Sequence, residues 1–472
     1  MVMGELPVET QVLVIGGGPG GYAAAFRAAD LGLDVTLVNN EPQLGGVCLL
    51  RGCIPSKTLL SLTELIHKAR EAADKGVAFT DPNIDLAKLR AWKNRITTTL
   101  AQGLESLCQQ RGVQLVKGRA TFREANQVHL QGADIAGIQF KHAIIATGSR
   151  PIPLPGSEFR ESGRVMNSTG ALALQDIPRK LLVVGGGYIG LEMGMVYASL
   201  GSQITLVEMT DRLLGNADLD LVKPLARQIE NCFAAVYLNT KVSALEETSD
   251  HVRVTLEGKK TGQETFDRVL VAISRTPNTT DLELENTAVE LDDNGFIKVD
   301  EMQRTAAKHI FAIGDAAGGM LLAHKAMFEG KVAAEVIAGE PAAFDVQAIP
   351  AVVYTDPQIA WCGLTEQAAA AQGQKIETAK FPWRASGRGL SMGFTDGLTK
   401  LVLEPESGRV LGVGIVGRQA EALIAEGVLA VEMGAVARDL TLIIHPHPTL
   451  SETLSEAAEV FLGGSTHFYP KR

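Results

Sequence analysis

The sequence predicts an α/β protein with two Rossmann-like dinucleotide-binding domains and a C-terminal α+β domain. Three observations carry that prediction. Two glycine-rich fingerprints each lie between a strand and a helix, the two share one register, and the residue pattern changes after about Ala348. A chain of 472 residues has room for about three domains.

The first fingerprint, Gly16-Gly17-Gly18-Pro19-Gly20-Gly21, follows the strand-like run Val12-Leu13-Val14-Ile15. The second, Gly185-Gly186-Gly187-Tyr188-Ile189-Gly190, follows Leu181-Leu182-Val183-Val184. Both fit G-x-G-x-x-G, whose glycines allow a tight turn, close approach of backbone to a pyrophosphate, and close helix–strand packing. The free N–H groups at the helix start then face the anion. Pro19 suits a first helical turn, where no partner for its missing N–H is needed. Gly185 lies 169 positions after Gly16, and Gly190 lies 169 after Gly21. Second strands at 35–38 and 204–207 end at Asn39 and Glu208, the same 169 apart. An acid at such a strand end binds ribose hydroxyls.

Amphipathic helical stretches at 61–75 and 86–108 read as an excursion from the first unit. The run Ala143-Ile144-Ile145-Ala146 reads as a strand ending at Thr147-Gly148, and Ile310-Phe311-Ala312-Ile313 ends in the same way at Gly314-Asp315. Asp315 therefore closes an apolar strand, where open α/β sheets place ligand contacts and where an acid also caps a turn. Beyond Ala348, strands are expected at 352–354, 399–403 and 410–413, with helices near 420–433 and 451–461.

Composition narrows the function. The net charge is −10 and no basic stripe stands out, which argues against a nucleic-acid partner. No apolar run reaches the ~18 residues of a membrane span. The N-terminus lacks the charged, apolar and small-residue order of a secretory signal. Five cysteines are too few for a disulfide scaffold, and the odd count argues against full pairing.

Cys48 and Cys53 carry the chemistry. A close pair in a reducing compartment is catalytic or metal-binding more often than structural. No further cysteine or histidine lies nearby to complete a zinc site. A disulfide needs Cα atoms within about 7 Å, slightly less than a regular helix gives at this spacing. Local distortion is therefore expected, with Gly52 between the cysteines and Pro55 just after them to permit it. A second constellation is His445-Pro446-His447-Pro448-Thr449 with Glu452, in which a histidine near a carboxylate can move a thiol proton. The sequence alone does not choose between the histidines, and a proline-built surface turn also explains the segment. Lys57 and Glu192, taken alone, are ordinary helix residues.

Together these motifs resemble the disulfide-oxidoreductase flavoproteins of the glutathione reductase type. The most specific pieces are Gly45 through Lys57, Leu322-Ala323-His324-Lys325, Tyr354-Thr355-Asp356-Pro357, Trp361 through Glu366, and His445 through Glu452. The resemblance implies an FAD-binding domain at 1–152, an NAD-binding domain at 153–280, a central domain completing the FAD site at 281–347, and a dimerisation domain at 348–472. It implies FAD contacts from Gly16, Gly18, Gly21, Asn39, Gly46, Lys57, Ala120, Thr147, Gly148, Asp315 and Ala323. Contacts with NAD are implied for Gly185, Gly187, Gly190, Glu208, Ser274 and Arg275.

The implied chemistry is oxidation of a protein-bound dihydrolipoyl dithiol with NAD+ as acceptor. Cys48 is then the thiol exchanging with substrate and Cys53 the thiol touching the flavin. Lys57 and Glu192 pair near the flavin's reactive nitrogen. His447, oriented by Glu452, is the base and comes from the second subunit of a homodimer, which leaves His445 structural. The implied partners are lipoyl domains of a dihydrolipoyl acyltransferase or a glycine-cleavage carrier, in the cytoplasm. The alternative is another disulfide reductase such as glutathione reductase, against which Glu208 counts because it repels a 2′-phosphate. Two departures stand out: Asn39 where the family has Glu, and Ser274 where it has Gly.

Overall fold

The computed structural model describes residues 8–469, so residues 1–7, on which the leader reading bears, and 470–472 lie outside the described residues. The first unit contains strands β1 (Val8–Ile15), β2 (Val35–Asn39), β3 (Gln114–Lys117), β4 (Arg119–Glu124), β5 (Gln127–Gln131) and β6 (Gly137–Ile145). They form one sheet in the order β3-β2-β1-β6-β5-β4. β1 is central because Val12, Leu13 and Val14 are apolar at successive positions and fully buried, as a strand covered on both faces requires. It runs parallel to β2 and β6. β4, β5 and β6 form an antiparallel meander that the sequence reading did not anticipate.

The strand Ile310–Ala312 returns to this first sheet and pairs with β6. The following helix, Ala323–Ala338, packs on helix α1 (Pro19–Asp30) through facing glycines. A Cβ on Gly330 would lie 2.5 Å from the Gly20 carbonyl oxygen, so the two backbones touch. This return brings Asp315 and Ala323 to the first fingerprint although about 300 residues separate them in sequence.

Three further helices of the first unit are α2 (Gly46–Arg51), α3 (Cys53–Glu71) and α4 (Leu86–Gln110). The expectation that helix begins near residue 61 is corrected: α3 begins at Cys53. Pro55 sits in its first turn, where a missing N–H breaks no helical hydrogen bond.

The second unit repeats the plan. Strands Val165–Met166, Lys180–Val184, Gln203–Val207, Ala235–Tyr237 and Arg268–Val271 form a parallel sheet. A separate three-stranded antiparallel sheet spans Thr240–Glu247, Val252–Gly258 and Gly262–Phe266. The C-terminal unit is a five-stranded antiparallel sheet carrying helices Ala420–Glu432 and Glu452–Phe461.

Lys400 joins the second unit to the C-terminal one. Its buried ammonium lies 2.7 Å from Asp218, 2.8 Å from Asp220 and 2.8 Å from Glu366. These acids are close enough together to hold a metal ion, but the lysine already sits among them. Among the described residues, no helix is long and apolar enough to cross a membrane.

Candidate active site

A cleft of about 650 Å³ opens at the ends of the first sheet's parallel strands. The two fingerprints divide their glycine roles in the same way. Gly16 and Gly185 have φ of 114° and 109°, which an L side chain rarely adopts. A Cβ on Gly21 or Gly190 would lie 1.8 or 2.2 Å from the carbonyl oxygen of that first glycine. Gly18 and Gly187 differ: a Cβ on Gly18 would meet its nearest atom at 3.9 Å, and one on Gly187 would meet nothing within 4 Å. The middle glycine of each fingerprint thus faces open space, where a pyrophosphate approaches the backbone.

Gly46 connects this turn to the cysteines. A Cβ there would lie 2.6 Å from the Gly18 Cα, so α2 starts in backbone contact with the fingerprint. α2 then stops at Arg51, Gly52 takes φ −143° and ψ −112°, and α3 restarts at Cys53. The expected distortion between the cysteines is this break. Both cysteines line the cleft.

The pair is electrostatically asymmetric. Cys53 falls from its ordinary 9.0 to about 7 because the Cys48 side chain hydrogen-bonds it; burial opposes the shift and the Lys57 ammonium adds to it. Cys48 is pushed up by the same pairing and by burial.

Lys57 donates to Glu192 at 2.8 and 3.1 Å. Glu192 is 2% exposed and is held from two more directions: Ser56 Oγ donates to it at 2.9 Å and the Tyr354 N–H at 3.0 Å. The Lys57 ammonium also lies 4.4 Å from the Tyr354 ring centre. Glu192 and Tyr188 enter the first cleft from the second unit's helix Tyr188–Ser199. Ser56, Tyr354 and Tyr188 belong to motifs quoted from the sequence, but no contact with Glu192 or the cleft was expected of them. Their partners are too distant along the chain for spacing to signal them.

Asp315 is held by Ser149, with Arg275 Nε 3.9 Å away. Ser149 Oγ donates to it at 2.5 Å while accepting from Arg275 Nε at 2.7 Å. Beneath it, the Gly314 N–H donates to Glu329, itself paired with Lys325. Ala120, Thr147, Gly148 and Ala323 line the same cleft. Asn39 lines it too, but its amide donates to the Glu41 and Gln43 carbonyls.

At the second fingerprint, the Glu208 carboxylate accepts from the Gly186 N–H at 2.7 Å and the Thr210 N–H at 2.8 Å. Ser274 is exposed beside it in sequence to Arg275, outside the first cleft.

His447 and Glu452 form a pair, with Nδ1 2.8 Å from the carboxylate, which also accepts from the Thr449 N–H. His447 is exposed, whereas His445 is buried against Glu426 at 2.9 Å. The geometry thus leaves His447 free to meet a substrate and gives His445 a structural contact. Neither His447 nor Glu452 lines the cleft holding the cysteines. The dinucleotide shape of that cleft, its open middle glycine and its donor-anchored Asp315 fit FAD.

Residues 10–330 match the family described as pyridine nucleotide-disulphide oxidoreductase, and 349–458 match that family's dimerisation domain. The chain is 47% identical to a dihydrolipoyl dehydrogenase of Vibrio parahaemolyticus over 98% of each chain. It is 45% identical to that of Geobacillus stearothermophilus over the whole of both. Among solved structures, LpdA from Mycobacterium tuberculosis superposes with a TM-score of 0.89 at 26% identity, covering 96% of this chain and 99% of that one. The flavoprotein disulfide reductase RclA from Escherichia coli gives 0.85 at 25% identity, covering 95% and 99%.

Proposed function

The chain belongs to the pyridine nucleotide-disulphide oxidoreductase family, and from that premise we propose that it oxidises protein-bound dihydrolipoyl groups to lipoyl groups with NAD+ as acceptor. The observation that carries this reading is the cysteine pair astride Gly52, with Cys48 on α2, whose first glycine touches the fingerprint, and Cys53 at the start of α3. When bound, FAD supplies the two-electron carrier between sulfur and NAD+.

The residues divide the remaining work. We assign 1–152 with 281–347 to FAD, 153–280 to NAD and 348–472 to the dimer interface, a division that the separate family matches at 10–330 and 349–458 support. His447 Nε2 takes a proton from one substrate thiol, while Glu452 on Nδ1 fixes the tautomer and offsets the imidazolium charge. The substrate thiolate attacks Cys48 Sγ of the oxidised pair. A substrate–Cys48 bond forms, the Cys48–Cys53 bond breaks, and Cys53 leaves as a thiolate beside Lys57. The second substrate thiol passes its proton to Cys48 as its sulfur displaces Cys48 and closes the lipoyl disulfide, while the first proton stays on His447. The Cys48 thiol then hydrogen-bonds Cys53, the arrangement that lowers Cys53.

His447 and Glu452 act in the site of a second copy of the chain, because they lie in the matched dimerisation segment and off this chain's own cleft. Glu208 sets the nucleotide: a carboxylate there accepts from a ribose 2′-hydroxyl and repels a 2′-phosphate. The partner is a lipoyl domain of an acyltransferase or a glycine-cleavage carrier. The compartment is the cytoplasm, whose reducing poise keeps Cys108, Cys232 and Cys362 as thiols. Turnover separates this reading from its rival: dihydrolipoamide with NAD+ is expected to react, and a preference for glutathione disulfide with NADPH would overturn it.

A further inference from the structure

The two nucleotide units share a register but differ in hydrogen-bond sense at the end of the second strand. In the second unit Glu208 accepts from the Gly186 N–H at 2.7 Å. In the first unit Asn39 is buried and donates instead, to the Glu41 carbonyl at 2.9 Å and the Gln43 carbonyl at 3.0 Å. An amide spent in this way ties down its own loop and leaves one carbonyl oxygen, which points at Gly17. Position 39 thus lacks the two-oxygen acceptor that a ribose diol requires.

A carboxylate is nevertheless present at this end of the cleft. Glu41 lines it two residues further on, as does Arg51 at the end of α2. The Arg51 guanidinium meets the Glu41 carboxylate as a fork, one N–H group on each oxygen. Their side chains are 34% and 23% exposed, so the pair borders the cleft rather than lying beneath it. Each carboxylate oxygen has a second lone pair after taking one guanidinium hydrogen. The fork fixes the plane of the carboxylate and leaves two parallel acceptors, which suits adjacent ribose hydroxyls.

We propose that Glu41, held in place by Arg51, makes the adenosine-ribose contact of FAD that Asn39 does not make. The inference rests on the FAD reading of the first site. It also ties the adenosine end of the cleft to the redox helix, because Arg51 lies between Cys48 and Cys53.

The test is equilibrium binding of FAD to flavin-free protein, read by quenching of flavin fluorescence, with thermal unfolding of each flavin-free protein as a folding control. Glu41→Gln is expected to weaken FAD binding by about tenfold, the effect of losing a charged acceptor, with unfolding of the flavin-free protein little changed. The double variant Asn39→Glu with Glu41→Gln is expected to recover affinity, because an acid at 39 has the geometry that Glu208 shows in the second unit. Unchanged affinity in Glu41→Gln would overturn the proposal, as would a loss that the double variant does not restore even in part. Failure of the unaltered protein to bind FAD would instead remove the flavin reading, and the proposal with it.

Discussion

Replacing Lys57 by Met tests the electrostatic design of the cysteine pair. Lys57 follows Cys53 by four positions on α3, which places both on one helix face with Cβ atoms about 5–6 Å apart. A unit charge about 6 Å away in an effective dielectric near 20 is worth roughly 3 kcal/mol, or about two pH units at 1.36 kcal/mol each. The cleft is open to solvent and Glu192 offsets part of the charge, so about one unit is expected. The sign follows from the chemistry: removing a cation disfavours the thiolate, so Cys53 moves up from about 7 toward its ordinary 9.0. In the native protein the thiolate is present above pH about 7 and is lost as pH falls below it. In the variant it is lost about one unit sooner as pH is lowered. The assay is thiolate absorbance in the ultraviolet against pH, taken as the difference between each reduced protein and its Cys53→Ser counterpart. A midpoint unmoved by Lys57→Met, or moved downward, would refute the argument.

Glu192→Gln should shift the same titration the opposite way, because Glu192 raises Cys53; it should also lower the denaturation midpoint by leaving Lys57 without its counter-charge. His447→Gln should slow dihydrolipoamide oxidation by roughly 10²–10⁴-fold, the usual worth of a positioned base, while NADH oxidation by an artificial acceptor stays near normal; equal loss of both would contradict the assignment. Glu208→Gln should narrow the preference for NADH over NADPH, and an unchanged ratio of kcat/KM values would remove that argument. Lys400→Met leaves the buried Asp218 without its cation while Lys380 still pairs with Asp220 and Glu366, and should destabilise the protein by about 3 kcal/mol in denaturant unfolding; a change near zero would show that Asp218 relaxes into solvent.

The sequence made the two nucleotide units legible because their chemistry is local. Gly16 and Gly185 need a backbone conformation that glycine alone adopts freely, so the motif and the turn are the same fact. The break at Gly52 was readable for a similar reason: the disulfide distance and the helix geometry disagree, and a glycine stands where they must be reconciled. Contacts made across the fold left no such trace. Ser56 and the Tyr354 N–H converge on Glu192 from segments 136 and 162 residues away. Arg51 reads as a helix residue until the loop carrying Glu41 is seen to fold against it. The start of α3 at Cys53 lies before the amphipathic stretch expected at 61–75, and Pro55 fits there because a first turn tolerates it.

The central claim is that two sulfurs pass an electron pair between a dithiol and a flavin. Anaerobic addition of one equivalent of dihydrolipoamide to the purified flavoprotein tests it most directly. The account calls for uptake of two electrons with a new long-wavelength absorbance band from the Cys53 thiolate beside the flavin, absent in Cys53→Ser. A protein purified without flavin, or one whose flavin bleaches with no such band whether or not the cysteines are present, would contradict it.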